Sequence, residues 1–207
     1  MIVRKKRKRG CGKNSLELCS PRVLWRVPAG SSFLVTLYNV KKMQKRRVIG
    51  IDPGLAHTGF GIIDAIGNNI RLVSYGVIET PSTEEHGTRL LAIYNRLIAV
   101  LMEFKPEQAA MEELYFARNV SSALSVAEAK GVVTMCLSQQ ALPLCMYRPN
   151  QIKYAVTGTK TADKKTVEQY VKILLNLEVE PKPDHAADAL AAAITHVFST
   201  AEKNYIL

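Results

Sequence analysis

Two short apolar runs, far apart in the chain, each end in a carboxylate. Val48-Ile49-Gly50-Ile51 leads into Asp52 and the turn residues Pro53-Gly54, and Gln108-Ala109-Ala110-Met111 leads into Glu112-Glu113. Apolar runs of this length read as buried strands, and a buried strand gains no stability from an acid at its end. If the two strands are parallel neighbours, both carboxylates emerge at one edge of a sheet, where open α/β sheets place their sites. A third acidic segment, Asp184-His185-Ala186-Ala187-Asp188, opens an Ala-rich helical stretch, and its His185 and Asp188 stand three apart on one helical face. Carboxylate oxygens with one imidazole suit Mg²⁺ or Mn²⁺, and two such ions about 3.5–4 Å apart clamp the attacking and leaving oxygens of a phosphoryl transfer. Each piece alone has a plainer reading: Asp52 as a turn former, Glu112-Glu113 as a solvated strand end, Asp184 as a helix N-cap, His185 as a surface residue. Their conjunction favours a metal site.

The intervening sequence predicts an α/β arrangement. Residues 59–63 and 70–78 read as strands joined by a turn at 64–69, forming an antiparallel three-strand unit with the first run. Leu90, Leu91, Ile93, Tyr94, Leu97, Ile98, Leu101 and Phe104 keep helical spacing until Lys105-Pro106. A helix is expected over 121–140, a strand over 142–147, a helix start at Pro149, and helices over 163–177 and 184–198. The order βββαβαβαα gives most simply a five-stranded mixed sheet covered by helices on both faces.

The net charge of +10 suggests a polyanion partner until it is divided along the chain. Residues 1–42 carry eleven Lys/Arg against one acid, Glu17, whereas 43–207 balance seventeen bases against seventeen acids. Any grip of the folded part on nucleic acid therefore rests on where its charges sit. Residues 1–42 show no clean period and read as a basic irregular extension, either disordered or preceding a true start at Met43. The folded domain is then 43–207. Cys11, Cys19, Cys136 and Cys145 form no CxxC pairs, so neither a zinc site nor a disulfide framework is suggested and a reducing cytoplasm is the expected location. No apolar run reaches the roughly 18 residues that cross a bilayer.

Taken in order, Ile49-Gly50-Ile51-Asp52-Pro53-Gly54, Thr58-Gly59-Phe60-Gly61, Met111 to Asn119 (MEELYFARN) and His185-Ala186-Ala187-Asp188-Ala189-Leu190 closely resemble the RuvC Holliday-junction resolvases over 46–199. The resemblance implies an RNase H-like nuclease domain over 43–207, a homodimer, and metal-dependent paired symmetric nicking of four-way junction DNA in homologous recombination and DNA repair, leaving 5′-phosphate ends. It further implies two Mg²⁺ ions per active site, with Mn²⁺ able to substitute, and work beside the RuvA–RuvB branch-migration complex. Asp52, Glu112 and Asp188 match the family's catalytic acids. At the fourth acid position many relatives carry aspartate and some histidine; the register assigns His185 here, with Asp184 as the competing residue. Histidine there removes a negative charge, which loosens the hold on Mg²⁺ and favours Mn²⁺. Lys153 and Lys164 match functional lysines of the family, and Tyr115 stands where the family has an aromatic that can stack on an unpaired base. Arg118, close behind the second strand-end acid, completes the expected DNA contacts. An actin-like phosphotransferase would need a second phosphate loop and a duplicated domain, for which 43–207 has no room. An RNA nuclease of similar fold and a non-cutting junction binder remain the other readings.

Overall fold

The computed structural model describes residues 45–67, 69–113 and 120–202; the basic extension, Cys11, Cys19, Tyr115 and Arg118 lie outside the described residues. Along the chain run β1 (Lys45–Asp52), β2 (His57–Ile66), β3 (Asn69–Glu79), α1 (His86–Phe104), β4 (Gln108–Glu112), α2 (Val120–Gln139), β5 (Leu144–Tyr147), α3 (Pro149–Thr157), α4 (Lys164–Leu174) and α5 (Asp184–Glu202). The sheet order is β3-β2-β1-β4-β5. β2 pairs antiparallel with both β1 and β3, while β1, β4 and β5 run parallel. This is the mixed five-stranded sheet that the sequence predicts.

Alternation along the central strands sorts the helices onto two faces. Ile49 and Ile51 of β1 and Ala109 and Met111 of β4 pack against Ile93 and Leu97 of α1 and Ala129 and Val133 of α2. Val48 and Ala110 point the other way, into Leu190, Ile194 and Val197 of α5, Ile152 and Val156 of α3 and Val171 of α4. By the same alternation Asp52 and Glu112, the last residues of their strands, share the α5 face. Helix α5 is buried along most of its length, which its run of alanines permits by letting its backbone approach the sheet. The approach also needs glycine beneath it: a Cβ on Gly50 would lie 1.8 Å from the Ala189 carbonyl oxygen, and one on Gly59 would lie 2.0 Å from that of His185.

The boundaries depart from expectation where side chains or backbone signals intervene. The expected turn at 64–69 shrinks, because Asp64 is kept in β2 by Arg47, at 2.8 and 3.0 Å, and by Lys45 at 2.8 Å. β5 begins at Leu144 rather than residue 142, since Ala141 takes a left-handed φ of 51° and Leu142 N–H donates to the Leu137 carbonyl, closing α2. α4 ends at Leu174 rather than 177: Asn176 adopts φ 52° and Leu177 N–H reaches back to the Lys172 carbonyl, a Schellman-type stop. The helix start expected at Pro149 opens a full element, α3, which the order βββαβαβαα leaves out, and Gly158, at φ 77°, ends it. α5 runs on past residue 198 to Glu202.

Candidate active site

The parallel pairing of β1 with β4, in register through Ile51 and Met111, places Asp52 and Glu112 side by side at the strand ends. The first turn of α5 crosses this edge. His185 Nδ1 lies 2.7 Å from Asp52 Oδ2, and ligand atoms of Asp52, His185 and Asp188 all fall within 4.8 Å of one another. All three are partly accessible, so the cluster faces a surface rather than the core. Asp184 is not in it: its carboxylate turns to Lys182 at 3.0 Å and Lys164 at 3.7 Å. Glu112 stands outside the tight trio but lines a cleft of about 220 Å³ together with Asp52, Glu113 and Lys130.

Cations surround this edge. Lys164, at the start of α4, places its ammonium 3.1 Å from Asp188 Oδ2. Lys153 on α3 acts on Glu112 through its charge without pairing with it. Lys130 on α2 donates to the Glu112 carbonyl at 2.9 Å, and Arg148 pairs with Glu113 at 3.3 Å. The imidazole of His57 stacks on that of His185, with ring centroids 5.4 Å apart and planes 8° from parallel. Neither His57 nor Lys130 was expected from the sequence. The pairing of Asp52 with Gly59 puts His57 just beyond the acid, but only a known strand register reveals it; Lys130 looks like any lysine of an ordinary helix.

The electrostatics are those of acids forced together. Burial, then the charges of Asp52 and Asp188, push the Glu112 carboxyl up to about 7. Burial also raises Asp188, with Lys164 pulling in the opposite sense. The hydrogen bond to Asp52 raises the His185 imidazole, against desolvation and with the added charges of Asp52 and Asp188. Glu112 and Asp188 thus resist ionising beside the other acid of the edge, and a cation there would relieve them. The donors fit a divalent cation of the Mg²⁺ or Mn²⁺ type: carboxylate oxygens with a single imidazole and no thiolate.

A mixed sheet of this order with acids converging at the ends of β1, β4 and α5 has the make-up of a metal-dependent nuclease of the RNase H-like fold. The comparisons narrow the class. The family model of the crossover junction endodeoxyribonuclease RuvC matches residues 48–196, and the chain belongs to that family of divalent-metal-dependent endonucleases. The crossover junction endodeoxyribonuclease RuvC of Treponema pallidum (strain Nichols) is 49% identical over 158 residues, covering 76% of this chain and 81% of that protein. The RuvC of Pseudothermotoga lettingae is 45% identical over 149 residues, covering 72% of this chain and 92% of its own length. Among solved structures, T. thermophilus RuvC in complex with Holliday junction substrate superposes with a TM-score of 0.72 at 36% identity, covering 76% of this chain and 96% of that one. No helix among the described residues is long and apolar enough to cross a membrane.

Proposed function

We propose that this chain resolves four-way DNA junctions by paired symmetric nicks during recombination and repair. On this reading it works as a homodimer beside the RuvA–RuvB motor, and Asp52, Glu112, His185 and Asp188 are the catalytic and metal-holding residues. The observation that carries the reading is the convergence of Asp52, His185 and Asp188 within 4.8 Å, with Glu112 on the adjacent strand end. Asp52 is the common member, bonded to His185 on one side and lining the Glu112 cleft on the other. His185 takes precedence over Asp184, whose carboxylate is engaged by Lys182 and Lys164. Mg²⁺, with Mn²⁺ as substitute, bound as two ions by these residues, would supply an activated water and stabilise the leaving 3′ oxygen.

The protein's own side chains supply position and proton traffic. Glu112, pushed up to about 7, exchanges protons near neutrality, and the Asp52 carboxylate strengthens the hold of His185 on its own proton, so neutralising the acids frees a proton at either group. Lys164 balances Asp188 and, with Lys153, offers the backbone a cationic approach from the α3–α4 side. Tyr115 and Arg118 are proposed as the remaining DNA contacts, Tyr115 by stacking on an unpaired base. The nuclease domain is 43–207, with the basic extension unnecessary for cutting.

Cleavage of a synthetic four-way junction, with linear duplex as control, tests the reading. The full chain and residues 43–207 are each expected to make paired symmetric nicks with 5′-phosphate ends in Mg²⁺ or Mn²⁺. Asp52→Asn is expected to bind the junction as before and to lose cutting by roughly 10³-fold, the equivalent of several kcal/mol of transition-state stabilisation. Equal cutting of duplex, or full activity in the variant, would overturn it.

A further inference from the structure

Lys130 comes to the acid edge from the face of the sheet opposite to α5. It rises from the middle of α2, whose Ala129 and Val133 are buried against β1 and β4. Its ammonium sits on the wall of the cleft that Asp52, Glu112 and Glu113 also line. There it donates one hydrogen bond, to the Glu112 carbonyl at 2.9 Å. Its charge is handled differently from those of its neighbours. Lys164 is paired with Asp188 and Arg148 with Glu113, whereas no carboxylate among the described residues stands within ion-pair distance of Lys130. An ammonium has three N–H donors, and a single neutral carbonyl repays little of what it loses on leaving water. Glu113 and Glu112 act on it only through their charge, so its remaining N–H donors have room for a further acceptor.

The acceptor that fits is a phosphodiester. A strand lying in the cleft is repelled by the carboxylates there, and a compact cation on the wall is the group that lysine contributes to phosphate binding. Lys164 stands on the α5 face of the edge and Lys130 on the α2 face, so a strand crossing Asp52 and Glu112 passes between them. We propose that Lys130 is a further catalytic residue that donates to a non-bridging phosphate oxygen of the strand being cut and holds it over the Asp52–Glu112 edge. The proposal rests on the reading of that edge as the cutting site.

Single-turnover cutting of a four-way junction by the full chain, in saturating Mn²⁺, separates the alternatives. Lys130→Met keeps the stem and removes the charge; it is expected to cut roughly 10- to 100-fold more slowly. Its thermal midpoint and its Mn²⁺ concentration for half-maximal cutting should match wild type, and Lys130→Arg should recover most of the rate. Neutral methylphosphonate linkages placed one at a time around the cut should include one that slows wild type and has no further effect on Lys130→Met. Wild-type cutting by Lys130→Met overturns the proposal. So does a slow variant with a lowered midpoint and a shifted metal requirement, the mark of a prop for Glu112, or one slowed by every methylphosphonate as much as wild type. Asp52→Asn is run alongside: if it still cuts, the site itself is misassigned, whereas its loss with a normal Lys130→Met removes only the role of Lys130.

Discussion

His185 Nδ1 and Asp52 Oδ2, separated by 133 positions in sequence, lie 2.7 Å apart. The contact joins the first turn of α5 to the end of β1 and puts an imidazole where an aspartate would have made a fourth carboxylate. His185→Asp is therefore expected to lower the Mg²⁺ concentration for half-maximal junction cutting severalfold, narrowing the gap between Mg²⁺ and Mn²⁺. The same variant should be less stable without metal, through repulsion from Asp52 and Asp188. An unchanged metal preference would remove His185 from the metal-holding set.

The reach of His185 depends on Gly59. A methyl at that position would lie 2.0 Å from the His185 carbonyl oxygen, a backbone atom that cannot move without its helix. Gly59→Ala is expected to destabilise the fold by about 1–3 kcal/mol in urea unfolding and to depress cutting by more than its stability loss explains. Normal activity in this variant would show that α5 can shift without disturbing the site.

Protons and metal compete at this edge. Glu112, raised from 4.5 to about 7, and His185, raised above 6.5, both bind protons more tightly in the folded than in the unfolded chain. Their contribution to metal-free stability is thus present at low pH and lost as pH rises, from about 4.5 through 7 for Glu112 and from 6.5 upward for His185. The metal-free thermal midpoint should accordingly decline over that span, and Glu112→Gln should flatten its lower part. Calorimetry in buffers of different ionisation enthalpy should register proton release when Mn²⁺ binds, most strongly below pH 7.

A buried network on the same helix concerns stability alone. His196, 2% exposed, lies 3.1 Å from Gln108 Oε1 and 2.8 Å from the Tyr147 hydroxyl. The amide oxygen can only accept, so Nε2 carries the proton and Nδ1 accepts from Tyr147, whose phenol is pushed up to about 12 by burial. Tyr147→Phe leaves Nδ1 buried without a donor and is expected to cost about 1–3 kcal/mol in chemical denaturation. Loss of less than about 0.5 kcal/mol would mean that the site relaxes to admit another partner.

The chain itself carried much of this. Asp52, Glu112 and the His185–Asp188 pair stood out because apolar runs and an alanine-rich helix do not begin or end in acids for packing reasons, but that the two strand-end acids share an edge and a face rests on the parallel pairing of β1 with β4 and its register. The choice between Asp184 and His185 was another matter. Both lie within a turn of Asp188, and the packing of α5 onto Gly59, with Lys182 and Lys164 drawing Asp184 away, is what separates them. Lys130 and His57 were equally hidden, since a lysine in a helix and a histidine at a strand start carry no local signature. Sequence determined the elements and the acids they deliver, because periodicity and residue chemistry are local. Only the tertiary structure decided which donors meet and which cations remain unpaired, because those depend on strand register and on how closely one helix can settle on a sheet.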